Sequence, residues 1–106
     1  MQAIQLPLVP EFSGSHHMKT ATATIINRLG LHARAAALLV KLSSSFTSEI
    51  SMNHAGNTAN TKNIMEVLML AATQGTTLEI SIEGSDEDQA MAAILELISN
   101  KFNEAE

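Results

Sequence analysis

The chain has 106 residues, 45% hydrophobic and 16% charged, with a formal net charge of −5. That is one globular domain's worth, and neither a disordered nor a collagen-like composition. The absence of Cys excludes a disulfide framework, a zinc ribbon and thiol catalysis. No apolar run reaches the roughly 18 residues a membrane span needs, so a soluble protein without membrane insertion is expected.

Residues 1–17 follow no period and hold both prolines. The run from Glu11 to Met18 (Glu-Phe, Gly-Ser, His-Met) reads like consecutive cloning-site codons. The segment is therefore expected to be vector-derived or a flexible arm, with Met18 as the native start and 18–106 as the domain. His16 and His17 are left out of the chemistry.

Charge is segregated along the chain. Met18 to Leu78 carries five basic and two acidic residues, whereas Glu79 to Glu106 carries one basic and eight acidic. A solvated acidic face is the plain reading of the second half. A weakly basic face that steers an acidic partner is the functional reading of the first. Five basic residues without interleaved aromatics are a poor nucleic-acid footprint, so no nucleic-acid partner is expected.

Residues 20–26 alternate small apolar residues with Thr, which predicts a strand with Ala21, Ala23 and Ile25 on one face. Gly30 punctuates a connection over 27–31. Residues 33–45 begin with strong helix formers and predict a helix that frays in the Ser run. Phe46 to Met52 alternates again and predicts a second strand. A turn over 53–57, which includes His54, leads into a very polar third strand over 58–62, expected at the sheet edge. Asn63 suits an N-cap for a short helix over 64–71, with Glu66 three positions on. Thr77 to Glu83 alternates cleanly, with Leu78, Ile80 and Ile82 inward. Ser85 to Asp88 predicts a helix start, capped by Ser85. Met91, Ile94, Leu95, Ile98 and Phe102 make one apolar stripe on a long last helix.

The order is β-α-β-β-α-β-α. One antiparallel sheet with helices on one side is the economical packing, an α+β two-layer domain. Strand order is not written in this pattern, so a ferredoxin-like arrangement with an added helix stays open.

No phosphate-binding loop, dinucleotide fingerprint, zinc-protease helix or nucleophile elbow is present. The informative segment is Asn27 to Ala35. The first helix opens at His32 with no Ser, Thr, Asp or Asn in the four residues before it. Its first N–H groups therefore lack a local side-chain acceptor, and such a helix start attracts anions. Arg34 adds a bidentate donor suited to phosphate. An imidazole titrates near ~6.5, so a neutral nucleophilic nitrogen is available at neutral pH. His can carry a phosphoryl group covalently. A surface His–Arg pair is the plain alternative. No metal site and no cofactor are implied.

Gly30-Leu31-His32-Ala33-Arg34 resembles the active-site signature of HPr, the histidine-containing phosphocarrier family of the bacterial phosphoenolpyruvate phosphotransferase systems. The resemblance runs from about Lys19 to Phe102. It includes Phe46-Thr47-Ser48-Glu49-Ile50, Asn63-Ile64-Met65-Glu66-Val67 and Gln74-Gly75-Thr76. It implies an open-faced sandwich of four antiparallel strands under three helices. It implies phosphorylation of His32 on Nδ1, from Enzyme I and on to an Enzyme IIA protein, in sugar uptake or nitrogen-related regulation. Arg34 would hold the phosphate, with the backbone of Ala33 and Arg34. Ala33, Lys41, Ile64, Met65 and Leu68 would form the docking surface. The implied protein is a cytoplasmic carrier and not an enzyme; a monomer is expected from the polar edge strand and the modest size.

Ala35 stands where many members have Pro, which costs little because Ala is an excellent helix former. Asn63 stands where many carry a Ser phosphorylated by a dedicated kinase, so that regulatory arm is not expected at this position. Ala35, Leu68 to Ala72 and the acidic tail are similar to the nitrogen-related branch, NPr. A reversible anion- or metabolite-sensing module with a similar layout is the rival reading. Covalency separates the two.

Overall fold

The computed structural model describes residues 18–106. The reading of 1–17, with His16 and His17, lies outside them.

The elements are β1 (Lys19–Thr24), α1 (Ala33–Ser44), β2 (Glu49–His54), β3 (Asn57–Asn60), α2 (Ile64–Met69), β4 (Thr77–Glu83) and α3 (Glu87–Ser99), followed by a short turn at Lys101–Asn103. The sheet order is β1-β4-β2-β3 and every pairing is antiparallel. This settles the strand order that the pattern left open. The two inner strands, β2 and β4, are those with the clearest apolar alternation. The polar β3 lies at the edge, as expected.

Register follows the pleat. Ala21 pairs with Ile80, Ala23 with Leu78, and Ile50 with Ile82. One sheet face therefore gathers Ile50, Met52, Ala59, Leu78, Ile80 and Ile82, all buried. The other presents Thr20, Thr22, Glu79, Thr58 and Asn60, all exposed. The helices cover the apolar face. Ala35, Ala36 and Leu39 of α1, Val67 of α2, and Ala90, Met91, Ile94 and Ile98 of α3 complete the core. This is the expected open-faced α+β sandwich.

Several boundaries differ from the sequence reading. The second strand starts at Glu49, not Phe46. Phe46 N–H closes α1 on the Ser43 carbonyl, and the Thr47 and Ser48 N–H groups donate to Asp86. The hairpin is tighter than expected. Its two central residues, Ala55 and Gly56, have φ of 53° and 83°, the conformation that joins strands through a two-residue turn. The short helix α2 stops at Met69, because Ala71 adopts φ 51°. Asn63 caps it by accepting from Glu66 N–H at 3.2 Å. Glu66 reaches back to the N–H of Asn60 rather than that of Asn63 itself.

Two corrections concern α3. Its N-cap is Asp86, not Ser85, and no side chain caps it. The Asp86 carboxylate turns away to the 47–48 loop. The apolar stripe also outlasts the helix. α3 ends at Ser99, and Lys101, Phe102 and Asn103 have φ of 59°, 54° and 63°. Three consecutive non-glycine residues in the left-handed region cost about 1–2 kcal/mol each. Phe102 is fully buried, which offsets part of that cost. The consequence is a sharp reversal of the chain toward the start of α1.

Asp86 accepts from the Ser48 hydroxyl, from Thr47 N–H at 2.8 Å and from Ser48 N–H at 3.0 Å. The Ser48 hydroxyl bond leads these in holding its carboxyl down from 3.8 to about 2. A carboxyl depressed in the folded state stabilises above its unfolded value and loses that contribution as pH falls through the folded one. Asp86→Ala is expected to lower stability at pH 7 and to flatten the stability loss between pH 4 and 2. Urea unfolding across that range checks it.

Candidate functional site

The segment before α1 is held by backbone bonds to the segment after α2. Ile25 N–H donates to the Thr76 carbonyl at 2.8 Å, and Gly75 N–H donates to the Ile25 carbonyl at 2.7 Å. Further along, Leu31 N–H donates to the Ala72 carbonyl at 2.9 Å. Gly30 sits between these ties with φ 68°. A Cβ there would meet the Ala72 carbonyl oxygen at 2.5 Å. Glycine is required on both counts.

His32 is the N-cap of α1, extended at φ −77° and ψ 179°, and its side chain makes no capping bond. The first in-helix bond runs from Ala36 N–H to the His32 carbonyl. The N–H groups of Ala33, Arg34 and Ala35 have no partner among the described residues. No acidic residue lies in the first turn. The bare positive helix end expected from the sequence is therefore present.

The imidazole of His32 is about a quarter exposed. Its Nε2 is hydrogen-bonded to Oε2 of Glu104. Arg34 Nη1 lies 3.6 Å from the same oxygen. Oε1 of Glu104 accepts from Asn27 Nδ2 at 3.0 Å, and that amide also donates to the Gly30 carbonyl at 2.8 Å. Asn27 is fully buried. Arg28 Nε pairs with Glu106 at 2.5 Å, and Arg28 N–H donates to the Glu106 carbonyl. The C-terminal residues thus form a strap across the start of α1.

Burial pushes the Glu104 carboxyl up. The bonds from Asn27 and His32, with the nearby charges of His32 and Arg34, outweigh it and leave the group below its ordinary value. It is ionised at neutral pH.

His32 and Arg34 are brought together as the sequence reading expects. The residues expected to form a docking surface lie on two helices in contact. Ala33 and Lys41 are exposed on α1, Ile64 and Met65 are exposed on α2, and Leu68 is half-buried. Among the described residues Met69, Met65 and Leu29 are, in that order, the most exposed large apolar side chains, and the sequence reading did not place Met69 or Leu29 on the docking surface. His54 ends β2 in the hairpin. Asn63 is exposed and carries no hydroxyl.

Sequence reasoning missed Asn27 and Glu104. The segregated charge was the available signal for Glu104, since a lone acidic tail has its nearest counter-charges in the first half of the chain. Asn27 gave no signal beyond its place three residues after β1.

The family profile described as the PTS HPr component phosphorylation site matches residues 19–100. The chain belongs to the HPr family. By that membership it is of the phosphocarrier type and not an enzyme. It is 49% identical over 83 residues to the phosphocarrier protein HPr of Cupriavidus necator, covering 78% of this chain and 93% of that one. Against the HPr of Pseudomonas aeruginosa it is 43% identical over 90 residues, covering 84% and 100%. Among solved structures, HPr-C-His from Thermoanaerobacter tengcongensis superposes with a TM-score of 0.81 at 42% identity, over 84% of this chain and all of that one. HPr from Bacillus anthracis gives 0.74 at 33% identity, over 76% and 96%. The HPr fold and the helix-start His–Arg pair thus occur together in this chain.

Gly30→Ala is expected to destabilise the protein by about 2 kcal/mol, because a left-handed φ and a carbonyl clash act together. It should also shift the His32 ring resonances. Urea unfolding and a proton–nitrogen NMR spectrum check both.

Proposed function

We propose that this chain accepts a phosphoryl group on Nδ1 of His32 from Enzyme I, which takes it from phosphoenolpyruvate, and passes it to an Enzyme IIA protein. The observation that carries the reading is the match to a phosphorylation-site family over residues 19–100. That span contains two histidines, His32 and His54. His32 lies at a bare helix start beside an arginine, and His54 lies at the end of a hairpin strand.

The chemistry asks for little else. Phosphoryl transfer depends on positioning and on charge stabilisation of the three equatorial oxygens. The N–H groups of Ala33 and Arg34 and the guanidinium of Arg34 are donors of that kind. Arg34 is 60% exposed, so it can follow the phosphoryl group between partners. Ala33, Lys41, Ile64, Met65 and Leu68 form the docking surface in this reading. A small apolar patch with basic neighbours suits transient, acidic partners.

We place the carrier in the bacterial cytoplasm as a monomer. The edge strand β3 is four polar-rich residues long, which discourages edge-to-edge pairing. Among the described residues no helix is long and apolar enough to cross a membrane. Ala35 and the acidic tail favour the nitrogen-related branch over the sugar branch, and transfer to the IIA proteins of each branch distinguishes them.

Incubation with phosphoenolpyruvate, Mg²⁺ and Enzyme I is expected to add one phosphoryl group, lost in mild acid. His32→Ala should take up none. Arg34→Ala should slow uptake by about 100-fold, the scale of losing a charge-stabilising donor. Intact-mass spectrometry over time reads all three. No uptake by the unaltered chain, with Enzyme I of both branches tried, overturns the relay and leaves the reversible anion-binding module.

A further inference from the structure

We propose that Glu104 is a positioning residue for this relay: its carboxylate keeps the proton on Nε2 of His32 and so presents Nδ1 as the nucleophile. The inference rests on His32 being the phosphorylated residue.

A carboxylate only accepts hydrogen bonds, so the proton in the His32–Glu104 bond belongs to Nε2. A neutral imidazole with its proton on one nitrogen has its lone pair on the other. Carboxylates elsewhere fix the tautomer and ring orientation of working histidines in this way. Here the carboxylate is itself fixed. Its other oxygen accepts from Asn27, whose amide also donates to the Gly30 carbonyl two residues before His32. The orienting group and the oriented ring are thus tied to one loop. The buried Phe102 anchors the strap from the other side.

The covalent step balances without moving that proton. The Nδ1 lone pair forms the bond to phosphorus. The bond from phosphorus to the donor atom breaks, and its electron pair stays with the donor. The ring, still protonated on Nε2, becomes cationic, and the Glu104 carboxylate lies against the nitrogen where that charge is shared. In the onward step the P–N electrons return to Nδ1. The ring leaves as neutral imidazole, a better leaving group than the anion that a deprotonated Nε2 would impose. The same carboxylate therefore assists loading and unloading. Arg34, 3.6 Å from Glu104 and largely exposed, can exchange the carboxylate for the incoming phosphoryl oxygens.

The test compares the unaltered chain with Glu104→Ala and Glu104→Gln. Nitrogen-15 NMR of the His32 ring reads the tautomer, and steady-state phosphorylation by Enzyme I reads kcat and KM for the carrier. The unaltered chain should show the Nε2-protonated tautomer. Glu104→Ala should raise the Nδ1-protonated population and lower kcat by about 10-fold, the scale of losing an orienting hydrogen bond. KM should stay the same, because the docking helices are untouched. Glu104→Gln, whose amide oxygen still accepts from Nε2–H, should keep the tautomer and recover part of kcat. Glu104→Ser, too short to reach the ring, replaces the alanine variant if that one does not fold. Unchanged kcat and ring spectrum in the short variant overturns the proposal. So does a fall in kcat with an unchanged ring spectrum. If the unaltered chain takes up no phosphoryl group, the relay itself fails and this inference falls with it.

Discussion

The site depends on a short run of backbone hydrogen bonds between 25–31 and 72–76. These bonds fix where α1 begins and which way its first turn points. They occupy the N–H of Leu31 but leave those of Ala33, Arg34 and Ala35 open. A glycine at position 30 is the local requirement, because a carbonyl oxygen stands where a Cβ would be. A helix capped by its own side chain, as α2 is by Asn63, would spend an amide that α1 keeps. The open start of α1 is thus set by packing elsewhere in the fold.

Electrostatics then organise the strap. The start of α1 brings together a helix dipole, Arg34 and Arg28, and the acidic C-terminal segment answers it with Glu104 and Glu106. The exposed Arg28–Glu106 pair contributes little to stability, as surface pairs generally do. Glu104 is different, being mostly buried and bonded through both oxygens. Its place is set by the left-handed turn at 101–103. That turn is locally unfavourable and is held by Phe102 in the core. Core packing thereby delivers a carboxylate to a site on the surface.

Much of this was legible in the residues. The alternation of Thr77–Glu83, the helix formers of 33–44 and the polar edge strand were readable because local periodicity and burial agree there. His32 and Arg34 were readable because a missing cap is a local property. The boundaries at Phe46 and Ser85 were not. Both turn on Asp86, whose carboxylate prefers the amides of Thr47 and Ser48, 39 and 38 residues away, to the helix it begins. The end of α3 was misread because Phe102 keeps the helical spacing of its stripe while the backbone has already reversed.

By itself, then, the sequence determined the elements, the apolar faces, the bare start of α1 and the pairing of an imidazole with a guanidinium. Each is settled within a few residues, by periodicity or by the lack of a nearby acceptor. The tertiary structure decided the strand order, the tight fit at Gly30 and the meeting of Glu104 and Asn27 with His32. Those contacts join residues 72 and 77 positions apart, and no local pattern encodes them. They follow from the one packing that buries the sheet face, α3 and Phe102 together.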